Sequence, residues 1–217
     1  MTKIALLLIM LIARIFPLLG QSMDKISIPK FNDKYSSYVK QLEAGQTSID
    51  YLDFRYSFIE SEQFILASKK FKDHNKLRNQ IISEMTNKEY NNVIRTAKAM
   101  LTINYTNIFA HKVLRQTYKI IGDSVNASKY YKIHFGLLNS IIKNDDGKTC
   151  STAWPVIQLD EEYFILQMIG AKLLQQSTDT TDGLCDKMDV DTEDGEKRTY
   201  FFETSKIFEG YRKLGMK

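Results

Sequence analysis

Hydrophobic residues recur at helical spacing through the middle of the chain. In residues 86–104 they occupy positions i, i+3, i+4, i+7 and i+11 of an amphipathic helix: Tyr90, Val93, Ile94, Ala97 and Leu101. Thr86 and Glu89 have the spacing of a capping box, so we expect this helix to begin beside them. Residues 106–123 predict a second helix, which Gly122 ends as a glycine commonly does.

Residues 123–144 predict a third helix with a more complete apolar stripe. Its members are Ala127, Tyr130, Tyr131, His134, Phe135, Leu138, Ile141 and Ile142. Because His134 lies on that stripe, with no second ligand three or four residues away, we expect a core histidine instead of a metal ligand.

The stripes of the first and third helices repeat at a constant interval. Each of Val93, Ala97 and Leu101 is followed at that interval by an apolar residue: Ala127, Tyr131 and Phe135. The interval equals the helix–turn–helix period of tetratricopeptide repeats, about 34 residues. Residues 33–43 and 48–68 also read as helices and could form an irregular first pair. The prediction is a mostly α chain with an antiparallel helix-pair (tetratricopeptide-like) array.

The pattern changes at Asn144. Residues 152–158 read as a short strand, and the acidic run Asp160 to Glu162 starts a helix in LDEEYFILQMIGAKLL. Residues 184–190 and 197–204 read as a hairpin around an Asp-Gly turn, and a last helix follows. We therefore expect a small α+β C-terminal unit with a three-stranded sheet, in the order β-α-β-β-α, packed on the last helix of the array.

The N-terminus has the pattern of a secretory signal. Lys3 precedes a short apolar run that Arg14 interrupts, and the run is too short for a membrane span of about 20 residues. We expect cleavage after Gly20; a buried helix or an uncleaved anchor is the alternative. The predicted parts are 1–20 signal peptide, 21–143 helical array and 144–217 α+β unit. We expect a secreted or periplasmic protein with no transmembrane span after signal removal.

The overall charge gives no indication of a nucleic-acid partner. Without residues 1–20 the chain has 28 basic and 26 acidic residues, and its nearest charge run, residues 69–78, contains an acid. Nucleic-acid binding needs a concentrated basic face, so we expect no nucleic-acid partner.

The two cysteines allow two interpretations. In an oxidising compartment Cys150 and Cys185 can form a disulfide, but the sequence does not show whether their Cα atoms approach closely enough. As catalytic thiols they would need a base and an electropositive setting, for which the sequence gives no sign.

Three apparent motifs do not satisfy their own chemistry. Gly147 to Thr149 read GKT, but a phosphate loop needs a glycine five positions earlier, where Ile142 stands. The run 189–196 resembles a calcium loop but has Asp194 where glycine is required. Adjacent acids at 160–162 cannot face each other across a glycosidase cleft. We predict no catalytic residue, no metal site and no cofactor.

Aromatic residues could line a ligand groove, but helical and strand spacing favours core packing. The residues concerned are Tyr130, Tyr131, Tyr163, Tyr200 and Tyr211.

The C-terminal third contains the motifs DGKT, TA, VI and DEEY, followed by a glycine and a YF strand. The residues are Asp146, Gly147, Lys148, Thr149, Thr152, Ala153, Val156, Ile157, Asp160, Glu161, Glu162, Tyr163, Gly170, Tyr200 and Phe201. With these motifs the chain resembles an exported family, mainly of Bacteroidota, known as domain of unknown function 4919. The resemblance implies export and this architecture, and it supplies no catalytic residue.

Two functions remain in view. The first is a non-catalytic protein- or peptide-interaction module of the cell envelope, since stacked helix pairs commonly present binding surfaces. The alternative is an envelope hydrolase or glycan-binding accessory with a site at the joint between the subdomains, formed by Asp145, Asp146, Lys148 and Glu162. The stretch 144–166 itself is predicted to be a structural corner.

Overall fold

The computed structural model describes residues 25–181 and 183–216. Within them there are nine α-helices and a mixed four-stranded sheet, and the strands of the sheet all lie in the C-terminal part of the chain. The mostly helical fold is therefore confirmed. The predicted signal segment, residues 1–20, lies outside the described residues.

Seven helices form the part of the molecule that we call the helical array. They are α1 Lys34–Glu43, α2 Tyr51–Glu60, α3 Glu62–Ser68, α4 Phe71–Thr86, α5 Tyr90–Ile103, α6 Ile108–Ile120 and α7 Ser124–Ile142. Five of them begin at a polar side chain that accepts a hydrogen bond from a backbone N–H of the first turn: Asp33, Asp50, Ser61, Asn107 and Asp123. Local sequence thus sets most helix starts.

The start of α5 differs from the predicted capping box. Thr86 is the last residue of α4, where its hydroxyl donates to the Ile82 carbonyl at 2.9 Å. Glu89 is the N-cap of α5 and makes no side-chain capping bond. Lys88 between them has a positive φ of 60°, which turns the chain tightly. The spacing of Thr86 and Glu89 predicted only the start of a helix. In the structure α4 ends at Thr86 and α5 begins directly after Glu89.

Residues 48–68, predicted as one helical segment, form two helices. Ser61 has an extended backbone that ends α2, and its hydroxyl accepts from the Phe64 N–H at the start of α3. The break turns α3 away from α2.

Helices α4 to α7 pack successively on one another, and α2 also packs on α7. The ring of Tyr51 lies so close to Gly136 that a Cβ there would come within 2.2 Å of it, so α7 needs glycine at this position.

The buried stripe of α7 differs from the predicted one. It consists of Tyr130, Ile133, His134, Leu137, Leu138 and Ile141. Tyr131 is 52% exposed, so its assignment to the core was wrong. Ile133 and Leu137 are buried although they were not predicted to be part of the stripe. The predicted members Ala127, Phe135 and Ile142 are only partly buried at its edge.

The C-terminal unit, residues 144–216, contains one more strand than predicted. It consists of β1 Trp154–Pro155, α8 Leu159–Met168, β2 Lys172–Asp179, β3 Cys185–Asp191, β4 Lys197–Glu203 and α9 Ser205–Lys213. The sheet order is β1-β4-β3-β2. Strand β1 runs parallel to β4, and β4, β3 and β2 are antiparallel neighbours.

The first residues of strand β2, 172–174, were predicted as the end of a helix. Helix α8 stops at Met168, and Gly170 then adopts a positive φ of 68°, which starts a new direction of the chain. Strand β2 lies at the edge of the sheet, and nearly all its side chains are exposed. It therefore lacks the alternation of apolar and polar residues that identifies a half-buried strand.

The C-terminal unit is attached to the array mainly through α2 and α7. Strand β1 contacts α7, and α9 packs on α2. The Lys213 ammonium donates to the carbonyl groups of Ile59, Glu60 and Ser61 at the end of α2. Among the described residues, no helix combines the length and apolar character that a membrane crossing requires.

Candidate functional site

The DGKT loop is held by its own hydrogen bonds. Asp146 Oδ1 accepts from the Thr152 hydroxyl at 2.8 Å and from the Lys148 N–H at 3.1 Å. These bonds, the Thr152 bond first, lower the pKa of Asp146. Gly147 has a positive φ of 66°, and a Cβ there would come within 2.7 Å of the Trp154 ring. The loop therefore needs its glycine for close packing.

Trp154 joins this loop to the sheet. Its indole stacks on Tyr200 with ring centroids 5.0 Å apart, and its Nε1 donates to the Asp145 carbonyl at 2.9 Å. The Phe201 N–H donates to the Gly147 carbonyl at 2.7 Å. The stretch is thus built as a corner in which the motif residues contact one another.

Glu161 forms a buried ion pair with the array. Arg55 of α2 contacts both carboxylate oxygens of Glu161, at 2.6 and 3.3 Å, and neither side chain is more than 5% exposed. Arg55 also donates to the Pro155 carbonyl, and Glu161 accepts from the Ile157 N–H. Burial raises the pKa of Glu161, and the guanidinium opposes this rise. The charged groups thereby fix α8 and β1 to α2.

Glu162 is buried without a hydrogen-bond partner. It is 0% exposed, and both of its oxygens lack a partner. Burial, and then the charge of Asp186, raises its pKa to about 8, so the carboxyl is mostly protonated at pH 7. Asp186 is itself satisfied, because it accepts from Gln176 and Thr178 on β2.

The structure gives the four predicted joint residues different surroundings. Lys148 and Asp146 form a surface ion pair at 3.3 Å, and both side chains are more than half exposed. Asp145 contributes its carbonyl to Trp154. Glu162 lies inside the C-terminal unit and interacts with Asp186.

Cys150 and Cys185 form a disulfide, with their Cα atoms 5.8 Å apart. The bond links the short 3₁₀ turn Cys150–Thr152 to the first residue of β3. It closes a loop of 35 residues that contains α8 and β2.

Two histidines lie fully buried in the helical array. His111 bonds the Tyr105 carbonyl through Nε2 at 2.7 Å, whereas neither ring nitrogen of His134 has a partner. Burial lowers the pKa of His111 to about 3 and that of His134 to about 4. Within residues 25–181 and 183–216, no group of three His, Cys, Asp or Glu side chains could hold a metal ion.

A small pocket lies where α4, the α5–α6 connection and α8 meet. Its walls include Arg78, Asn107, Phe109, Asp160 and Phe164, and its space of about 10 Å³ fits roughly one water molecule.

A surface next to this pocket carries three cations that lie over aromatic rings. Arg78 lies 4.4 Å from the centre of the Phe109 ring, and Lys112 lies 5.3 Å from that of Phe164. Arg115 lies 5.2 Å from the ring centre of Phe135 and 5.9 Å from that of Tyr131. We call the surface formed by Arg78, Phe109, Lys112, Arg115, Tyr131 and Phe135 the basic aromatic face.

Among the described residues, none of the three cations forms an ion pair with an acid. Arg78 and Arg115 take part in no salt bridge, and Lys112 donates only to the Met168 sulfur. Asp160 is near enough for Arg78 to lower its pKa, although burial of Asp160 is the larger effect and raises it. Burial, together with the charges of Arg115 and Arg78, lowers the pKa of Lys112.

The overall charge balance concealed this face. Residues 90–143 contain eight Lys and Arg residues and a single acid, Asp123. The prediction from sequence compared whole-chain totals and contiguous charge runs, and basic residues spaced three or four apart on helices form no such run. Counting charges within each predicted helix would have detected it.

Comparison with known proteins adds a family and no activity. No curated protein and no solved structure matches the chain. The pattern of the family described as Domain of unknown function (DUF4919) matches residues 26–213, which include both the helical array and the C-terminal unit. This match confirms the family that the C-terminal motif indicated. The chain belongs to the DUF4919 family, whose function is unknown.

Proposed function

We propose that the protein is an exported, non-catalytic module that binds another protein or a peptide through its helical array. The observation that carries this proposal is an apolar tip on the α6–α7 hairpin. Ile120, Ile121 and Val125 lie close together around the turn and are 52%, 44% and 77% exposed. Clustered apolar side chains at an exposed turn add nothing to the core, and such patches mark contact sites for other molecules.

The arrangement of the helices supports a binding role. Helices α5 and α7 begin at Tyr90 and Ser124, and successive helices pack as neighbours. The interval between these two starts matches the tetratricopeptide period of about 34 residues. We propose on this basis that the array is tetratricopeptide-like. Arrays of stacked helix pairs present extended surfaces to partners.

Export is supported by the N-terminal sequence pattern and is compatible with the disulfide. Disulfides persist in oxidising compartments such as the periplasm or the extracellular space. We therefore propose a secreted or periplasmic location for the module.

The binding function can be tested by affinity capture from an envelope extract of the source cells. The wild-type chain is compared with the triple variant Ile120→Ser, Ile121→Ser and Val125→Ser, and the bound proteins are identified by mass spectrometry. We expect a specific partner on the wild type that the tip variant loses, because serine removes the apolar contact area.

The matched control is the triple variant Ile28→Ser, Leu174→Ser and Met216→Ser, which changes three exposed apolar residues elsewhere on the molecule. It should retain the partner, and both variants should unfold near the wild-type temperature. Equal protein sets on the wild type and the tip variant would overturn the proposal.

A further inference from the structure

We propose that the basic aromatic face binds a carboxylate-rich segment of the partner protein. This inference rests on the proposed function, because it names the chemistry of the partner. Its residues differ from those of the apolar tip, so the two proposals can fail separately.

The three cations are held in place and available for a ligand. Arg78, Lys112 and Arg115 lie 4.4, 5.3 and 5.2 Å from the centre of an aromatic ring, which attracts and orients each of them. Since none has an acidic partner among the described residues, an incoming carboxylate displaces no existing ion pair. A guanidinium can bind a carboxylate through two parallel hydrogen bonds.

The surroundings of the face add positive potential. Helices α5, α6 and α7 contain no Asp or Glu, and the single acid of residues 90–143 is Asp123, the N-cap of α7. Asp160 lies close enough to the face for the charge of Arg78 to lower the pKa of Asp160, although burial, the larger effect, raises it. A surface with such an excess of one charge attracts ligands of the opposite charge and speeds their association.

The spacing fits a run of carboxylates better than a single one. Lys112 and Arg115 are three positions apart on α6, so their Cα atoms are offset by about 4.5 Å along the helix axis. Arg78, on α4, lies over the Phe109 ring and adds a third cation to this pair. A peptide with several nearby acids can therefore contact all three cations at once.

The rings favour an acidic peptide over a single-stranded nucleic acid. Nucleic-acid surfaces of this kind stack bases on open aromatic faces. Here each ring already has a cation over it. The four rings are those of Phe109, Tyr131, Phe135 and Phe164, and only Tyr131 is more than half exposed.

The test is a binding titration with a fluorescein-labelled peptide of ten glutamates, followed by fluorescence anisotropy at 50 and 200 mM salt. The full chain is compared with the triple variant Arg78→Gln, Lys112→Gln and Arg115→Gln. We expect the variant to bind at least about tenfold more weakly at 50 mM salt, and wild-type affinity to fall at 200 mM salt.

The matched control is Lys25→Gln, Lys40→Gln and Lys69→Gln, which removes the same charge from exposed positions away from the face. It should bind within about twofold of the wild type. Equal losses in the two triple variants would overturn the proposal, because they would indicate non-specific attraction.

Two further measurements address other occupants. Tighter binding of a ten-nucleotide oligothymidylate than of the peptide would overturn the proposal in favour of a nucleic acid. Self-association in sedimentation velocity that the face variant abolishes would overturn it in favour of a second copy of the chain. If the peptide binds as expected while the apolar tip variant captures the same proteins as the wild type, the proposal of binding through the tip is overturned and that of binding through the basic aromatic face stands.

Discussion

The array and the C-terminal unit carry opposite charge. Residues 90–143 contain eight basic residues and one acid, whereas residues 144–217 contain nine basic residues and fifteen acids. These two imbalances nearly cancel, which keeps the net charge of the whole chain at only +4. The comparison teaches that the balance of a whole chain is a poor guide to its surfaces when helices and strands come from segments of different composition.

The two regions also bury titratable groups of opposite kind. The array encloses His111 and His134, and the C-terminal unit encloses Glu162 without a hydrogen-bond partner. Burial favours the neutral form in each case, so it lowers the pKa of the histidines and raises that of the carboxyl. We therefore expect a falling pH to destabilise the array and a rising pH, up to about 8, to destabilise the C-terminal unit.

The largest effect is expected where the two regions are joined. Arg55→Met would leave Glu161 buried without its cation, which costs about 3–5 kcal/mol of unfolding free energy. The double variant Arg55→Met with Glu161→Leu should recover much of that loss, because it removes both buried charges. Urea unfolding at pH 7 measures both changes.

The control for Arg55 is Lys129→Met. It breaks the partly exposed pair of Lys129 and Glu43, whose side chains are 17% and 19% exposed, and should cost about 1 kcal/mol or less. A loss for Arg55→Met no larger than that of this control would contradict the view that the buried ion pair joins the two regions.

The variant Glu162→Gln tests whether the C-terminal unit loses stability as the pH rises. The folded pKa of about 8 lies above the unfolded value near 4.5. Below pH 4.5 both states are protonated; as the pH rises to 8, only the unfolded state ionises, and stability is lost. At pH 7 the wild type should therefore have lost on the order of 3 kcal/mol relative to pH 4, a loss absent from the glutamine variant.

The measurement for Glu162 is the difference in unfolding free energy between variant and wild type from pH 4 to pH 8. Glu196→Gln, which changes an exposed carboxylate of the same unit, should show a difference that stays near zero. A flat difference for Glu162→Gln as well would show that the buried carboxyl finds a partner in solution.

Periodicity predicted α5, α6 and α7 because each of these helices buries one stripe. The long helices α5, α6 and α7 were therefore found within a few residues of their ends. The error in α7 was rotational. The apolar stripe is wide enough to include Tyr131, and only packing against its neighbours decides which edge of the stripe faces inward.

Tertiary context decided the features that the sequence could not predict. Most side chains of strand β2 are exposed, so its sequence has no hydrophobic pattern that would identify a strand. Its position is fixed by backbone pairing with β3. The ion pair of Arg55 and Glu161 joins residues 106 positions apart. Glu161 and Glu162 were predicted as acids at a helix start; both are buried, because α8 contacts Arg55 of the array as well as strand β2.

Acid sensitivity of the array is expected to be the smallest of the three effects, and His134→Gln tests it. The folded pKa of about 4 lies below the unfolded value near 6.5. Above pH 6.5 both states are neutral. As the pH falls toward 4, the unfolded state takes up a proton that the folded state excludes, and stability is lost. At pH 5 the wild type should have lost about 2 kcal/mol through this group.

Glutamine cannot take up that proton, so the variant should gain stability relative to the wild type as the pH falls from 7 to 5. Chemical unfolding at both pH values measures this gain, and the comparison within each protein cancels any cost of fitting the amide into the core. His111, which keeps its carbonyl contact, leaves some acid sensitivity in the variant. If wild type and variant lose stability in parallel between pH 7 and 5, the charge of the buried imidazole does not control the acid response of the array, and the contrast with Glu162 fails.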